Sequence, residues 1–196
     1  MSVRVIGVVL AGGASRRMGG SPKAAMVLGR ETLLERAAAR LRPQVDALVV
    51  NSNDGLALDG VETVRDPFAD RRGPLAGVLA AMMWAEEHQP TALHVASAPV
   101  DVPDFPLDLV ERLQGVIPND GCAIARAGGH PQPVFGLWPV AMKGALQTFL
   151  LTSETLKIMD FVRGQETSQH DFGDAGPFEN VNTPDDLAAA RGRLEG

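Results

Sequence analysis

The pattern of apolar positions near the start of the chain predicts a buried strand, a loop and then a helix. β-Branched residues dominate the apolar run 3–10, which ends at Ala11-Gly12-Gly13 and is typical of a strand buried on both faces. Apolar residues then recur at helical spacing over 33–41, with charged residues on the opposite side. The first strand should therefore be central in a sheet.

Strands and helices alternate along the rest of the chain. The predicted strands are 48–50, 61–64, 93–96, 122–126 and 134–137, and the predicted helices are 75–84, 107–113, 140–151 and 155–162. A final helix should begin at Thr183, with Pro184 in the first helical position and Asp186 completing a variant of the capping box. This order implies a Rossmann-like three-layer α/β fold, with a mostly parallel central sheet and helices on both faces.

Length, composition and charge limit the classes of protein to which the chain can belong. Its 196 residues, 45% of them hydrophobic, suit one domain over 1–196, and no repeat or linker divides them. The formal charge of −6 argues against a protein that grips nucleic acid, because such binding needs a basic face. Cys122 is the only cysteine, which fits a reducing compartment, and the apolar run 5–10 is too short to span a bilayer. We therefore expect a cytoplasmic protein that binds neither nucleic acid nor membrane.

Glycine is the compositional feature that points to a ligand. The chain has 21 glycines, and much of the excess lies at 12–20, 73–77 and 128–129, where the backbone could approach a ligand. In the first of these stretches, backbone N–H groups can contact phosphates while Arg17 and Lys23 supply positive charge. A solvated surface loop is the alternative. We favour a ligand because the loop follows the central strand, at the edge where α/β sheets bind ligands.

The same stretch resembles the nucleotide-binding signature LAGGxSxRMGxxxK of the NTP-transferase superfamily and matches it at every specified position. The residues that this resemblance assigns to nucleotide binding are Leu10, Ala11, Gly12, Gly13, Ser15 and Lys23. Further segments, at 49–53, 65–66, 73–77, 100–106 and 180–187, are similar to those of the bacterial molybdenum cofactor guanylyltransferases. The resemblance runs from about Ile6 to Leu187 in consistent order.

This resemblance implies an activity as well as a fold. Enzymes of that family transfer GMP from GTP to the terminal phosphate of molybdopterin and release pyrophosphate, with Mg²⁺ as the cofactor. The half at about 1–110 would bind the nucleotide, and the half at about 111–196 would bind the acceptor. GTP and molybdopterin are thus the implied partners, with molybdenum-insertion or molybdoenzyme maturation proteins as further candidates.

Asp101 is the candidate metal ligand. It follows a strand that should lie parallel to the first and beside it, so its carboxylate would face the phosphate loop and could hold Mg²⁺ against the α-phosphate. The structural alternative is a loop aspartate that caps the next helix, for which Asp104 and Asp108 are better placed. We interpret Asp101 as the metal site.

Asp66 and Asn51 are candidates for recognition of the base. A carboxylate at Asp66 could accept hydrogen bonds from N1–H and the 2-amino group of guanine, which cytosine cannot offer. The structural alternative, in which Asp66 makes an Asx turn before Pro67, fits the sequence alone nearly as well. Asn51 could equally close a turn, and the resemblance makes it a nucleotide contact.

Three residues are candidates for acceptor binding on the resemblance. Asn180 and Asn182 stand two apart in a segment expected to be extended, which puts both amides on one face. Taken alone, Asn182 could be a turn residue. His130 precedes a segment similar to the family's PVxGLW element, although residue chemistry alone favours an exposed loop histidine.

The chain also departs from the family pattern near both candidate charges. Pro22 stands where aspartate is usual, and Val102 and Asp104 replace a threonine and an apolar residue. Lys23 and Asp101 themselves are in place. The departures therefore bear on how the acceptor is positioned.

We expect direct in-line attack of a molybdopterin phosphate oxygen on the α-phosphorus, with Lys23, Arg17 and Asp101 as the catalytic groups. The alternatives are CTP-dependent transfer to the same acceptor and transfer to a sugar phosphate. The second glycine in 10–13 favours the guanylyl class, since cytidylyl relatives resemble LAAG there. A non-catalytic nucleotide or pterin carrier is disfavoured because Lys23 and Asp101 are both present.

Overall fold

The computed structural model describes residues 4–12 and 23–195. In chain order its elements are β1 (Val5–Leu10), β2 (Val27–Leu28), β3 (Glu31–Thr32), α1 (Leu33–Leu41), β4 (Ala47–Asn51), β5 (Glu62–Val64), α2 (Pro74–His88), β6 (His94–Pro99), α3 (Leu109–Gln114), β7 (Cys122–Ala127), β8 (His130–Pro139), α4 (Lys143–Thr152), α5 (Ile158–Arg163), β9 (Thr167–Asp171) and α6 (Pro184–Glu195). Over these residues, no helix combines the length and apolar character needed to cross a bilayer.

The main sheet has seven strands in the order β5-β4-β1-β6-β8-β7-β9. Strand β1 lies between β4 and β6, parallel to both, and all six of its residues are buried. The pairs β4–β5 and β7–β9 are also parallel, whereas β8 runs antiparallel to β6 and β7. The predicted mostly parallel sheet with a central first strand is therefore confirmed.

Helices cover both faces of this sheet and complete three layers. On one face, apolar side chains of α1 and α3, with Ala190 of α6, pack into one core. On the other face, α2, α4 and α5 pack into a second core with Val8 and Val95 of the sheet. Helix α1 presents a regular apolar stripe to its core, as its helical spacing predicts. The three-layer prediction is thus confirmed as well.

The glycines at 128–129 form the turn between two strands. Gly128 and Gly129 have φ of 56° and 77° and connect β7 to β8 as a two-residue hairpin loop. Positive φ at both central positions is what the right-handed twist of the two strands requires. The twist of this hairpin is therefore a sufficient reason for the glycine pair.

The structure differs from the predicted elements where polar residues form strands or where helices start late. Strand β9 has the sequence TSQHD and pairs at the sheet edge with β7, so burial imposes no apolar alternation on it. Strand β8 begins at His130, which places that histidine in a strand and not in a loop. Helices α3 and α5 begin two and three residues later than the patterns indicate.

Candidate active site

A cavity of about 360 Å³ lies where β1 and β6 end at the carboxyl edge of the sheet. Leu10 pairs with Pro99 in the last position of the two strands, and the Val100 N–H donates to the Leu10 carbonyl over 3.1 Å. The two loops therefore leave the sheet side by side. Of the residues singled out from the sequence, those that line this cavity are Leu10, Ala11, Gly12, Lys23, Asp101, Asn180 and Asn182. It is called the Asp101 cavity below.

Lys23 joins the two halves of the chain inside the Asp101 cavity. It begins a 3-10 helix, is buried, and donates from Nζ to Asp101 Oδ2 over 2.8 Å and to Asn182 Oδ1. The carboxylate opposite the ammonium offsets the cost of burying that charge. Asp101 keeps 28% of its side chain exposed and belongs to the wall of the cavity, so the carboxylate can be reached from it.

The segment 180–182 is held in place by backbone bonds on both sides. Val181 is buried and its N–H donates to the Asp101 carbonyl over 2.7 Å, which leaves Asn180 and Asn182 together on the cavity side. Asp186 Oδ2 accepts the N–H groups of Asn182 and Thr183, each over 2.8 Å. These bonds, with that to Asn182 the strongest cause, hold the pKa of Asp186 below its ordinary value.

The same contacts form the predicted cap of α6. The Asp186 N–H donates to Thr183 Oγ1 over 3.1 Å, so the cap is reciprocal. Because the pKa of Asp186 is lowered, the carboxylate stays ionised, and the cap persists, to a lower pH than for a free aspartate. The helix cap therefore also anchors the two asparagines.

A second cavity of about 370 Å³ adjoins the first, since Gly12 and Pro74 belong to the walls of both. Its remaining wall is formed by Asn51, Asn53, Asp54, Asp66, Arg71 and Gly73. It is called the Asp66 cavity below. The two candidates for base recognition therefore lie next to the candidates for phosphate and metal chemistry.

The Asp66 carboxylate is fixed by two asparagine side chains. Asn51 Nδ2 donates to Oδ1 over 2.9 Å, and Asn53 Nδ2 donates to Oδ2 over 2.7 Å. Asn53 Oδ1 in turn accepts the Asp66 N–H over 2.9 Å, which fixes the orientation of that amide. Each carboxylate oxygen keeps further acceptor capacity. Asn53 was not predicted as a site residue.

Gly77 allows α2 to approach this network closely. A Cβ on Gly77 would lie 2.3 Å from Asn51 Oδ1 and 2.6 Å from Leu10 Cδ2. Real carbon atoms do not come that close, so any larger residue would have to displace the Asn51 side chain. The glycine at 77 therefore serves the packing behind the site.

A bulge of three residues in β8 forms part of the wall of the Asp101 cavity. Ile124 pairs with Gly136 and Ala125 pairs with Gln132, so residues 133–135 stand outside the ladder. Gln132, Val134 and Phe135 line the cavity, and the Ser97 hydroxyl donates to the bulged Val134 carbonyl over 2.7 Å. Bulges commonly turn side chains toward a site in this way.

His130 is exposed at the start of β8 and does not contribute to the wall of the Asp101 cavity. The structure instead brings Gln132 to that wall, which sequence reasoning missed. The signal available was its position two residues before Val134, but the bulge that directs both side chains to the cavity cannot be read from the sequence.

Asp104 and Asp108 both form ion pairs with arginines. Arg36 Nη2 donates to Asp104 over 2.8 Å, and Arg112 Nε donates to Asp108 over 2.7 Å. Asp108 is the N-cap residue, without a side-chain cap bond. The expectation that the Asp108 side chain caps α3 is thus wrong. Among the departures from the family pattern, Asp104 pairs with α1 and Val102 is buried in the cavity wall.

Comparison with known proteins gives a family for this arrangement. A family model described as the MobA-like NTP transferase domain matches residues 7–169. A molybdenum cofactor guanylyltransferase from Sinorhizobium fredii is 42% identical, over 96% of this chain and 91% of its own length. The chain belongs to the molybdenum cofactor guanylyltransferase family. It is a nucleotidyltransferase, and the family resemblance found in its motifs is confirmed.

Solved structures of low identity share the fold of this family member. A molybdopterin-guanine dinucleotide biosynthesis protein A from Archaeoglobus fulgidus has a TM-score of 0.74 at 21% identity, covering 97% of this chain and 98% of that one. The protein Rv0371C from Mycobacterium tuberculosis, solved in complex with manganese, has a TM-score of 0.70 at 18% identity, covering 98% and 100%. These likenesses extend over nearly the whole chain and confirm the nucleotidyltransferase fold.

The described part of this family member offers one carboxylate for a cation in the Asp101 cavity. No group of three or more His, Cys, Asp or Glu side chains within residues 4–12 and 23–195 could hold a metal ion by itself. Asp101 is accessible from the cavity, and a hard divalent cation is commonly held by one carboxylate together with substrate phosphates and water. The donor set therefore fits a cation that arrives with a nucleotide. Gly13, Ser15 and Arg17 lie outside the described residues.

Proposed function

We propose that this protein transfers GMP from GTP to the terminal phosphate of molybdopterin, forming molybdopterin guanine dinucleotide and pyrophosphate. The observation that carries the proposal is the fixed Asp66 carboxylate in a cavity that adjoins the Lys23–Asp101 pair. A nucleotide whose base is bound in the Asp66 cavity would place its phosphates in the Asp101 cavity. Family membership supports the same reaction.

The Asp66 cavity supports selection of guanine. The carboxylate oxygens each receive one asparagine amide and keep acceptor positions for N1–H and the 2-amino group of guanine. Cytosine presents an unprotonated ring nitrogen beside its amino group, which would face the carboxylate without a proton to share. Asn51, through Asp66, therefore contributes to choosing GTP over CTP.

The Asp101 cavity supports transfer without a covalent protein intermediate. Asp101 would hold Mg²⁺, which when bound neutralises charge on the α-phosphate. Lys23 Nζ, already oriented by Asp101 and Asn182, has a third N–H to donate to a phosphate oxygen. The backbone of Leu10, Ala11 and Gly12 continues this cradle. We propose that Gly13, Ser15 and Arg17 extend it.

The acceptor phosphate would enter between the end of β6 and the bulge in β8. Asn180 and Asn182 lie on that side and offer amide groups to it, while His130 stands at the outer start of β8, where it would meet the pterin end. The half at about 1–110 thus supplies the nucleotide side, and the half at about 111–196 supplies most of the acceptor side.

The reaction also suggests where the protein works and with what. We propose the cytoplasm, where GTP is available and where Cys122 would remain reduced. Molybdenum-insertion or molybdoenzyme maturation proteins are the proposed recipients of the product.

The proposed function is tested by incubating the protein with Mg²⁺, molybdopterin and each of the four NTPs in turn, and measuring pyrophosphate release. We expect GTP to exceed CTP and ATP in kcat/KM by at least ~10², because a pocket that pairs with guanine leaves polar groups unmatched when another base enters. Reactions without molybdopterin control for hydrolysis. Equal kcat/KM for GTP and CTP would contradict the proposal.

A further inference from the structure

Two consecutive arginines beside the Asp66 cavity make contrasting contacts. Arg72 bonds Asp70, lies over the Phe68 ring at 5.1 Å, and donates to the Leu150 carbonyl of α4. Only 23% of its side chain is exposed. Arg71 instead lines the Asp66 cavity and keeps 51% of its side chain exposed. Arg72 therefore ties the loop to the fold, whereas Arg71 is available to a ligand.

The contact that Arg71 makes within the described residues is weak. Its Nη2 lies 3.3 Å and 3.4 Å from the two Asp54 oxygens, so one nitrogen is shared and the planar fork is not used. Both side chains are solvent-exposed, and such pairs contribute little. Nε, Nη1 and the second N–H of Nη2 are left to donate, so an edge of the guanidinium can still present a pair of donors to a molecule in the cavity.

The Asp66 cavity needs a donor to complete its match to guanine. Guanine presents two donors, N1–H and the 2-amino group, and two acceptors, O6 and N7. Asp66 supplies acceptors, and the Asn51 amide is already engaged with Asp66 and the Val64 carbonyl. Among the described residues of the wall, Arg71 is the cationic side chain, and an arginine fork matches O6 and N7 of guanine.

We propose that Arg71 is a specificity-determining residue that donates to O6 and N7 of guanine while Asp66 accepts from the opposite donors. The inference rests on the proposed function, because it takes GTP as the donor nucleotide. Adenine presents an amino group at the position of O6 and an unprotonated N1. A donor would then face the Arg71 donors, and an acceptor would face the Asp66 carboxylate. Cytosine is too short to reach both.

The test measures GTP and CTP dissociation constants by calorimetry with Mg²⁺ and without acceptor, so that binding is read apart from turnover. We expect Arg71→Ala to raise the Kd for GTP about tenfold and to leave the Kd for CTP unchanged within about twofold. Arg71→Lys keeps the charge without the fork and should also bind GTP more weakly than the parent. Arg65→Ala is the matched control, since Arg65 is exposed beside Asp66 in sequence but is not part of the cavity wall.

Two analogues separate the contacts. With 7-deaza-GTP, which lacks N7, the unaltered protein should bind more weakly than with GTP, and Arg71→Ala should abolish that difference. ITP lacks the 2-amino group that Asp66 would bind, so its penalty should be the same in both proteins. A penalty for 7-deaza-GTP that persists in Arg71→Ala would overturn the contact to N7.

The outcomes also separate this inference from the proposed function. If the unaltered protein binds GTP and CTP alike, guanine is not selected and both proposals fail. If it prefers GTP and Arg71→Ala keeps the whole preference, only the role of Arg71 is overturned. An equal loss in Arg65→Ala would show that the effect is one of net charge and would also overturn it.

Discussion

At the scale of single residues, the Lys23–Asp101 pair shows how the site is charged before a nucleotide arrives. The ammonium and the carboxylate are 2.8 Å apart and neutralise each other inside the Asp101 cavity. A triphosphate brings negative charge to Lys23, and the cation that accompanies it brings positive charge to Asp101. When the nucleotide binds, Lys23 can pair with a phosphate and Asp101 with the cation, so neither buried charge is left without a partner.

We predict that Asp101→Asn abolishes turnover, by ~10²-fold or more, while GTP binding in the absence of metal survives. The change removes the charge that would hold Mg²⁺ and barely alters shape. Pyrophosphate release across a series of Mg²⁺ concentrations, with GTP affinity measured in a chelator, checks both parts. Asp104→Asn is the control, because that carboxylate lies on the same loop but faces Arg36. Near-normal activity of Asp101→Asn at limiting Mg²⁺ would exclude the metal role.

Lys23→Ala should weaken GTP binding and slow transfer together, because a cation beside the phosphates acts in both the ground state and the transition state. The same change leaves Asp101 and Asn182 without their shared donor. Steady-state kinetics and GTP titration measure the two effects. If GTP affinity and kcat both stay within about twofold of the parent, Lys23 does not bind phosphate.

Asp66→Ala should reduce the preference for GTP over CTP more than it reduces the residual rate with CTP, because the lost carboxylate serves guanine alone. Asn53→Ala should shift the preference in the same direction by less, since it frees one carboxylate oxygen but leaves the charge. The ratio of kcat/KM values for the two nucleotides is the measurement. An unchanged ratio in Asp66→Ala would show that the base is selected elsewhere.

The sequence motifs single out Asp66, Asn51, Lys23 and Asp101, and the structure places all four on the walls of the two cavities. Asn53, whose bonds to Asp66 depend on how the chain returns after β4, was not predicted. Arg71 and Gln132 also line the cavities, but neither stands in a motif that singles it out. A motif describes one continuous segment, so it cannot predict contacts between segments that come together only in the folded protein.

At the scale of elements, α2 and β4 must approach closely for the Asp66 network to form. We predict that Gly77→Ala destabilises the protein by about 1–3 kcal/mol and lowers the preference for GTP, because the new Cβ would displace Asn51 from Asp66. Gly144→Ala is the control: it also lies in a helix, but a Cβ there has nothing within 4 Å. For both variants, denaturant unfolding measures the stability, and the ratio of kcat/KM for GTP to kcat/KM for CTP measures the preference. Equal effects of the two substitutions would show that helix propensity, and not the contact with Asn51, is responsible.

The sequence predicts a strand well where both of its faces are buried, and a helix well where one face is buried at regular spacing. Strand β1 is buried along its whole length, and α1 shows its core face in the spacing of its leucines and alanines. Strand β9 was not predictable, since it is polar and takes its conformation from pairing with β7. The two-residue strands β2 and β3 are too short to leave a pattern.

At the scale of the whole molecule, the β6–β8 pairing joins the N-terminal and C-terminal halves of the chain in one sheet. We therefore predict a single cooperative unfolding transition. The two tryptophans, Trp84 on α2 and Trp138 on β8, report on different halves. In Trp84→Phe and in Trp138→Phe, the fluorescence midpoint should coincide with the circular dichroism midpoint of the same variant. Separated midpoints within either variant would show that the halves unfold independently.

The bulge at 133–135 places part of one wall of the Asp101 cavity outside the hydrogen-bonded ladder of the sheet. These residues lie outside the β7–β8 ladder, and the part of β8 that pairs with β6 begins only at Gly136. Substitution of the half-buried Val134 side chain changes the cavity surface and breaks no backbone bond of the central strands, whereas Phe135 is buried against Phe105 and Phe178. Over evolutionary time, acceptor preference could drift in this fold while the machinery for the nucleotide stayed constant. Libraries randomised at Gln132 and Val134, with Phe135 kept, are thus a natural starting point for redirecting the enzyme to new phosphate acceptors.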